Sequence, residues 1–436
     1  MYRKYLVIGS GPAGLHLTKQ LIKHAPAKCV VDLVESSYLP GGLLRYGVAP
    51  DHPEVKSALN LYDELFANSS VNFYNNTHLT SSLFLDQNFT KEYDRIIFAN
   101  GVEKARSAIY SGEANISDFV ADANDIVNFY NANPAKEQWL SDKQLGNLSK
   151  AKRIVIFGNG NVSMDLARIL TSKASEMAKY AFDPRFIEVL RNINLSTVDI
   201  VARRGVVESA FDLKELRELS DANNMKIVIS REEYDKSANE ASLKLVNVKA
   251  DIRNRANARK FKYCQNLVTD GLPEHGRIAL RYYLEPHSIV QKDTGKVVRC
   301  KRKQIDSSQA DDYEDIPFDF MIKSFGYMNT PSSLYNEIQS RISEDAKSLL
   351  ANVGWSCSNG KGKLADSYYS CDMIIGDILA HFNDSKVGKY QTKGILESID
   401  NKMKRRNENY LKFRDIERKS GKELKDISII KDIMLH

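Results

Sequence analysis

The sequence predicts an α/β chain carrying two Rossmann-like dinucleotide-binding units. Three observations predict it. Gly9-Ser-Gly11-Pro-Ala-Gly14 follows the apolar run Tyr5–Ile8 and opens a helical pattern. Gly158-Asn-Gly160-Asn-Val-Ser163 follows Ile154–Phe157 and opens another. Each fingerprint is followed by a further apolar run that ends on charge: Val30–Val34 leads to Glu35, and Val198–Ala202 leads to Arg203-Arg204-Gly205.

In chain order, residues 4–35 read as strand, glycine turn, helix, strand, with helical periodicity at Leu15, Leu17, Leu21 and Ile22. Pro40 to Pro53 is rich in Gly and Pro, which excludes a helix or a central strand. A helix is expected at 54–67, and Asp94–Gly101 reads as a buried strand ending in a turn. The second unit starts near Lys152, with a strand at 153–157, a helix at 161–179 and a strand at 197–202. Gly160 and Arg203 are 43 residues apart, twice the usual ~20. The helix is therefore extended, or a helical segment is inserted at 184–195. Residues 212–222 read as a helix, segments 225–230, 278–283 and 318–325 as strands, and 303–315 as an exposed acidic loop. The Lys-rich last 40 residues read as helical.

Composition narrows the class. The 436 residues can hold two or three domains, and 42% hydrophobic with 27% charged content is ordinary for a water-soluble chain. No apolar run approaches the ~18 residues of a membrane span, and the first strand begins too early to leave room for a presequence. The net charge of +6 includes basic clusters at Arg253–Lys262 and Lys402–Arg406, which read as solvated surface or as a dock for an acidic partner. The five cysteines include no CxxC pair. That argues for a reducing compartment and against a redox dithiol, an iron–sulfur site or structural zinc.

The fingerprints carry the chemistry. Gly9 permits the tight turn, Gly11 lets a pyrophosphate approach the backbone, and Gly14 lets helix and strand pack closely, with Pro12 and Ala13 completing the loop. The helix N-terminus then offers N–H groups and partial positive charge to phosphates. Glu35 stands 21 residues after Gly14, where an acid accepts hydrogen bonds from a ribose. In the second loop Asn159, Gly160, Asn161 and Val162 fill the turn, and Arg203 and Arg204 suit a 2′-phosphate. The first site therefore reads as one for FAD and the second as one for NADP, which makes the chain an oxidoreductase.

Gly42-Leu-Leu-Arg-Tyr-Gly-Val-Ala-Pro-Asp-His-Pro-Glu-Val-Lys56 resembles the adrenodoxin reductase family, the mitochondrial-type ferredoxin–NADP reductases. So do Asn161–Leu170, Arg203–Gly205, Ala210–Glu218, Ser324–Tyr327, Gly354-Trp355 and the tail from Gly421 to Met434. The resemblance spans nearly the whole chain. It implies a glutathione-reductase-like layout: an FAD-binding domain at 1–105 and 325–436, with an NADP-binding domain inserted at 106–324. It implies an FAD-dependent NADPH–adrenodoxin (ferredoxin) reductase that passes single electrons to an acidic 2Fe–2S ferredoxin, for iron–sulfur cluster assembly or a P450 chain.

By the same resemblance His52 lies near the flavin and pairs with Glu218, and Asp165 lies near the nicotinamide. Gly42, Leu43, Thr77, Trp355, Gly362, Lys363 and Leu364 join the FAD set, with Gly362 also at the nicotinamide and Glu215 at the adenosine end of NADP. Arg253, Arg255, Arg259, Lys260 and Lys262 fall where the family docks its ferredoxin. A monomer in a mitochondrion or related organelle is implied, or one in the cytoplasm, with no nucleic-acid partner. The sequence departs from the family at Ser358-Asn-Gly-Lys-Gly362, where RGPxG is usual, and at Val206, where proline is usual. A glutamate synthase small subunit would carry a cysteine-rich N-terminal extension, and a disulfide reductase needs a dithiol. The alternatives are an NADPH–flavin oxidoreductase like the glutamate synthase small subunit, or a degenerate flavoprotein scaffold without activity.

Overall fold

The computed structural model describes residues 3–24, 29–102, 104–222, 225–249, 251, 254–293, 295–303, 312–330, 333–380, 396, 405–420 and 423–436. The chain divides into two compact units, the first comprising Met1–Ala105, Asn131–Glu137 and Tyr327–His436, the second Arg106–Tyr130 and Gln138–Gly326.

The first unit is a five-stranded parallel sheet in the order Leu350–Asn352, Arg95–Phe98, Arg3–Ile8, Cys29–Val34, Val71–Tyr74. Alternation along Arg3–Ile8 explains why it is buried on both faces. Tyr5 and Val7 point into a core with Leu15, Leu17 and Leu21 of the helix Pro12–His24 and with Tyr410, Phe413, Ile430 and Met434 of the C-terminal helices. Leu6 and Ile8 point into the opposite core with Phe84, Phe89, Tyr93 and Phe98. On that second face the charged pair Lys4 Nζ–Asp32 Oδ2 is closed at 3.4 Å. Tyr93 Oη and Asn72 Nδ2 each donate to Asp32 at 2.8 Å.

The second unit is a seven-stranded parallel sheet in the order Val268–Thr269, Lys226–Ser230, Arg277–Arg281, Thr197–Val201, Arg153–Phe157, Phe320–Lys323, Val120–Asp122. An antiparallel meander, Leu284–Lys292, Gly295–Arg302 and Tyr313–Pro317, covers one face and packs Val298, Cys300 and Ile316 against Val155, Phe157 and Met321.

Several segments differ from the sequence expectations. The Gly/Pro-rich stretch holds one helical turn, Leu43–Tyr46, because Gly42 at φ 49° turns the chain into it. The helix expected at 54–67 is three short pieces, Pro53–Lys56, a 3₁₀ segment Ser57–Tyr62, and Asp63–Ala67. The helix opening at Asn161 ends at Thr171 and resumes only for Ala174–Met177, with Pro184–Asn192 as the inserted helix. Of the loop expected at 303–315, residues 304–311 lie outside the described residues, and Tyr313 onward is strand. Cys29, Cys264, Cys300 and Cys371 are buried, Cys357 is exposed, and all five are free thiols.

Candidate functional site

The first glycine loop sits between Arg3–Ile8 and the helix Pro12–His24. Gly9 adopts φ 100° with the Ala99 carbonyl 2.6 Å from where a Cβ would stand, and a Cβ on Gly14 would fall 1.9 Å from the Gly9 oxygen. Both glycines are forced by packing. Gly11 differs, since nothing lies within 4 Å of its would-be Cβ. That opening over the N-terminus of a helix has the form of a cradle that could take a pyrophosphate. Glu35 braces the loop: its Oε2 accepts from Ser10 N at 2.9 Å and Ser10 Oγ at 2.7 Å, and its Oε1 accepts from Ser37 N at 2.8 Å.

Two further segments of the first unit meet the loop and its helix, at Gly41–Gly42 and at Gly354. Gly41 N donates to Ser10 O at 2.8 Å, and a Cβ on Gly42 would lie 3.0 Å from Gly11 Cα, which leaves the adjacent Leu43 exposed. Gly354, at φ 63°, would place a Cβ 2.8 Å from Ala13 Cβ. The turn Trp355–Ser358 starts from it, with Trp355 Nε1 donating to Gly362 O at 3.0 Å and its ring 5.5 Å from that of Tyr327. Gly362 at φ 94° and Lys363, whose N donates to Asp366 Oδ2 at 2.7 Å, lead into the helix Leu364–Ala380. Thr77 is buried with its hydroxyl donated to Asn75 O at 2.9 Å, so it shapes the loop after the strand Val71–Tyr74. His52 caps the turn Pro53–Lys56, with Nδ1 3.3 Å from Glu54 Oε1.

The second loop repeats the design. Gly158 has φ 108°, and its Cβ would fall 2.0 Å from Ser324 O, while nothing lies within 4 Å of a Cβ on Gly160. The loop is cross-braced: Asn159 Nδ2 donates to Ser209 Oγ at 2.9 Å, Asn161 Nδ2 donates to Asp212 Oδ2 at 3.2 Å, and Asp212 N donates to Asn161 Oδ1 at 2.8 Å. Val162 follows Asn161 in the first turn of the helix. Arg203 and Arg204 follow the end of the neighbouring strand Thr197–Val201, exposed, and neither forms an ion pair among the described residues. Gly205 behind them is required by packing, since a Cβ would meet Tyr283 Oη at 2.4 Å.

Asp165 lies on the helix that opens at this loop, paired with Arg168 at 3.2 Å. Glu218 on Leu213–Asp221 pairs with Lys214 at 3.3 Å, and carboxylate oxygens of Asp165 and Glu218 lie within 4.8 Å of each other. Burial raises the pKa of Glu215, whose Oε2 has no hydrogen-bond partner among the described residues. Sequence reasoning singled out Asn159 and Asn161 without seeing their braces at Ser209 and Asp212, which lie some fifty residues away.

The basic set divides. Arg255, Arg259 and Lys262 are exposed on the helix Arg255–Gln265, and Arg253 lies outside the described residues. Lys260 is not a docking cation. It is 6% exposed, with Nζ donating to Ser209 O and lying 5.4 Å from the Phe211 ring centroid, and desolvation lowers its pKa.

Comparison with known proteins gives a consistent picture. A family model described as pyridine nucleotide-disulphide oxidoreductase matches residues 3–242. The chain is 30% identical over 421 residues to a probable NADPH:adrenodoxin oxidoreductase, mitochondrial, of Schizosaccharomyces pombe, covering 90% of this chain and 86% of that one. It is 29% identical over 406 residues to NADPH-ferredoxin reductase FprA of Mycobacterium tuberculosis, covering 88% and 84%. The solved structure of M. tuberculosis FprA in complex with NADPH shares the fold, with a TM-score of 0.78, 24% identity and 100% of both chains covered. The chain belongs to the pyridine nucleotide-disulphide oxidoreductases, an FAD-binding family, and within it to the NADPH:adrenodoxin and NADPH-ferredoxin reductases.

Proposed function

We propose that the chain is an NADPH:ferredoxin reductase that delivers electrons singly to an acidic 2Fe–2S protein. The observation that carries the reading is the asymmetry of the two loops. Glu35 is committed to the first loop by two hydrogen bonds from Ser10, at 2.9 and 2.7 Å, as suits a resident dinucleotide. Arg203 and Arg204 stand exposed beside the second and are free to grip a visiting 2′-phosphate. FAD, when bound, supplies the conversion between a hydride and single electrons.

The chain's residues divide the remaining work. Gly9, Gly11, Pro12, Ala13, Gly14, Glu35, Gly42, Leu43, Trp355, Gly362, Lys363 and Leu364 hold FAD, and Thr77 shapes the loop behind them. Asn159, Gly160, Asn161, Val162, Arg203, Arg204 and Glu215 hold NADP, with Gly362 at the nicotinamide. His52 and Glu218 move a proton as the flavin changes state, and Asp165 orients the nicotinamide. Arg255, Arg259 and Lys262 receive the acidic partner, which steers its approach and weakens with salt. The enzyme works as a monomer, in a mitochondrion or related organelle; the relatives from Schizosaccharomyces pombe and Bos taurus are named mitochondrial.

Stopped-flow bleaching of bound flavin by NADPH and by NADH, followed by cytochrome c reduction with added ferredoxin, tests the proposal. The expected result is bleaching that favours NADPH, and cytochrome reduction that needs ferredoxin and falls with salt. A protein that takes up no FAD, or reduces cytochrome equally without ferredoxin, refutes it.

A further inference from the structure

The run from Gly42 to Lys56 carries much of the family resemblance, yet the chemistry above uses neither the buried Arg45 nor the partly buried Lys56. Arg45 is 2% exposed. Its Nη1 lies 3.5 Å from Glu417 Oε1 and 3.6 Å from Glu423 Oε1, and its Nε donates to Pro40 O at 3.0 Å. Lys56 Nζ lies 3.6 Å from Glu423 Oε2 and donates to Arg45 O and, at 2.8 Å, to Asn131 Oδ1. Lys425 Nζ lies 3.0 Å from the same Glu423 oxygen and donates to Asn131 O at 2.9 Å. One tail carboxylate thus serves three cations. Asn131 Nδ2 closes the knot on Tyr46 O at 2.9 Å.

The opposite end of the segment lies on the first glycine loop. Arg45 N donates to Gly42 O at 3.1 Å, and Gly41 and Gly42 rest on Ser10 and Gly11. Lys56 ends the turn that His52 caps, with Val55 N donating to His52 O at 3.1 Å. Buried cations that lose their counter-ion must find water or another partner, and the segment carrying them moves to do so.

We propose that Glu423 is a positioning residue: through Arg45 and Lys56 it holds residues 41–56 against the first glycine loop and so governs how long FAD stays bound. The proposal rests on the reading that the first loop binds FAD.

The test is the rate of FAD release from the loaded full chain, followed by the rise in flavin fluorescence. Glu423→Gln is expected to speed release about tenfold or more, and Glu423→Asp, which keeps the charge, to restore most of the loss. Affinity for 2′,5′-ADP, which reports the second loop, stays at the wild-type value and separates a local effect from general unfolding. Wild-type release from folded Glu423→Gln overturns the proposal. A wild-type chain that takes up no FAD overturns the underlying reading instead. Should Glu423→Gln fail to fold, Lys56→Met, which removes a cation through which Glu423 holds the segment, decides by the same assay: faster release supports the proposal and wild-type release overturns it.

Discussion

A single methyl group added at Gly11 or at Gly14 separates a glycine that serves the fold from one that serves the ligand. At Gly14 the new Cβ would lie 1.9 Å from the Gly9 oxygen and 3.3 Å from Ala99 Cβ, so helix and strand must part. Overpacking of that kind costs about 1–3 kcal/mol or more, and each kcal/mol lowers the melting temperature of a domain this size by about 2–4 °C. At Gly11 nothing lies within 4 Å, so Gly11→Ala should leave the melt of FAD-stripped protein within about 1–2 °C of wild type. The same methyl stands where a pyrophosphate would sit, and about 1–3 kcal/mol of overpacking there weakens FAD binding roughly 5- to 150-fold. The assay is a melt of the stripped protein paired with an FAD titration by fluorescence quenching. Gly160→Ala against Gly158→Ala repeats the contrast with 2′,5′-ADP, because the Gly158 Cβ would fall 2.0 Å from Ser324 O and the Gly160 Cβ has open space. A Gly11→Ala protein that binds FAD as wild type does would refute the cradle.

Four further outcomes are expected. Arg203→Ala with Arg204→Ala removes two charge-assisted phosphate contacts of about 1.5–3 kcal/mol each, so the KM for NADPH should rise by roughly two to four decades while that for NADH barely moves; steady-state kinetics with both donors check this. His52→Ala should slow flavin reduction about tenfold or more in stopped flow, within the range proton-transfer groups contribute. Lys4→Met leaves the Asp32 carboxylate buried and should cost about 3–5 kcal/mol in urea unfolding, whereas Lys4→Met with Asp32→Leu recovers most of it. Desolvation lowers the pKa of Lys56 to about 7, with Lys425 and Arg45 acting in the same direction and Glu423 opposing. At this site the unfolded chain therefore binds more protons than the folded one above about pH 7, and the contribution of Lys56 makes stability rise with pH there, by at most about 1.4 kcal/mol per unit. Melts between about pH 7 and 8.5, below the onset of thiol ionisation in the unfolded chain, should show this slope, and Lys56→Met should flatten it.

What the sequence disclosed and what it withheld follow from range. Strands flanking a glycine loop are local patterns, and Tyr5–Ile8, Val30–Val34 and Ile154–Phe157 were legible because apolar runs must be buried and the glycines fix their ends. The turn Leu43–Tyr46 was not, because a single turn has no periodicity and depends on the positive φ of Gly42. Lys260 was misread as surface because charge patterning says nothing about which face a cation lies on. A usable signal existed in Cys264, which stands four residues on, along the same helical face, and is itself buried. The braces Asn159–Ser209 and Asn161–Asp212 join residues no short window contains.

The same reasoning bears on the run from Gly42 to Lys56. Read as sequence, its length and specificity invite a catalytic explanation for every member, and His52 attracts it. In the structure its two innermost cations face away from solvent into a network closed by Glu417, Glu423 and Lys425, at the far end of the chain. A buried arginine or lysine without a counter-ion costs several kcal/mol, so those positions and the tail carboxylates must be present together or not at all. The network also separates two demands on the segment: in the proposed reading Gly42 and His52 serve the ligand, while Arg45 and Lys56 answer to the tail.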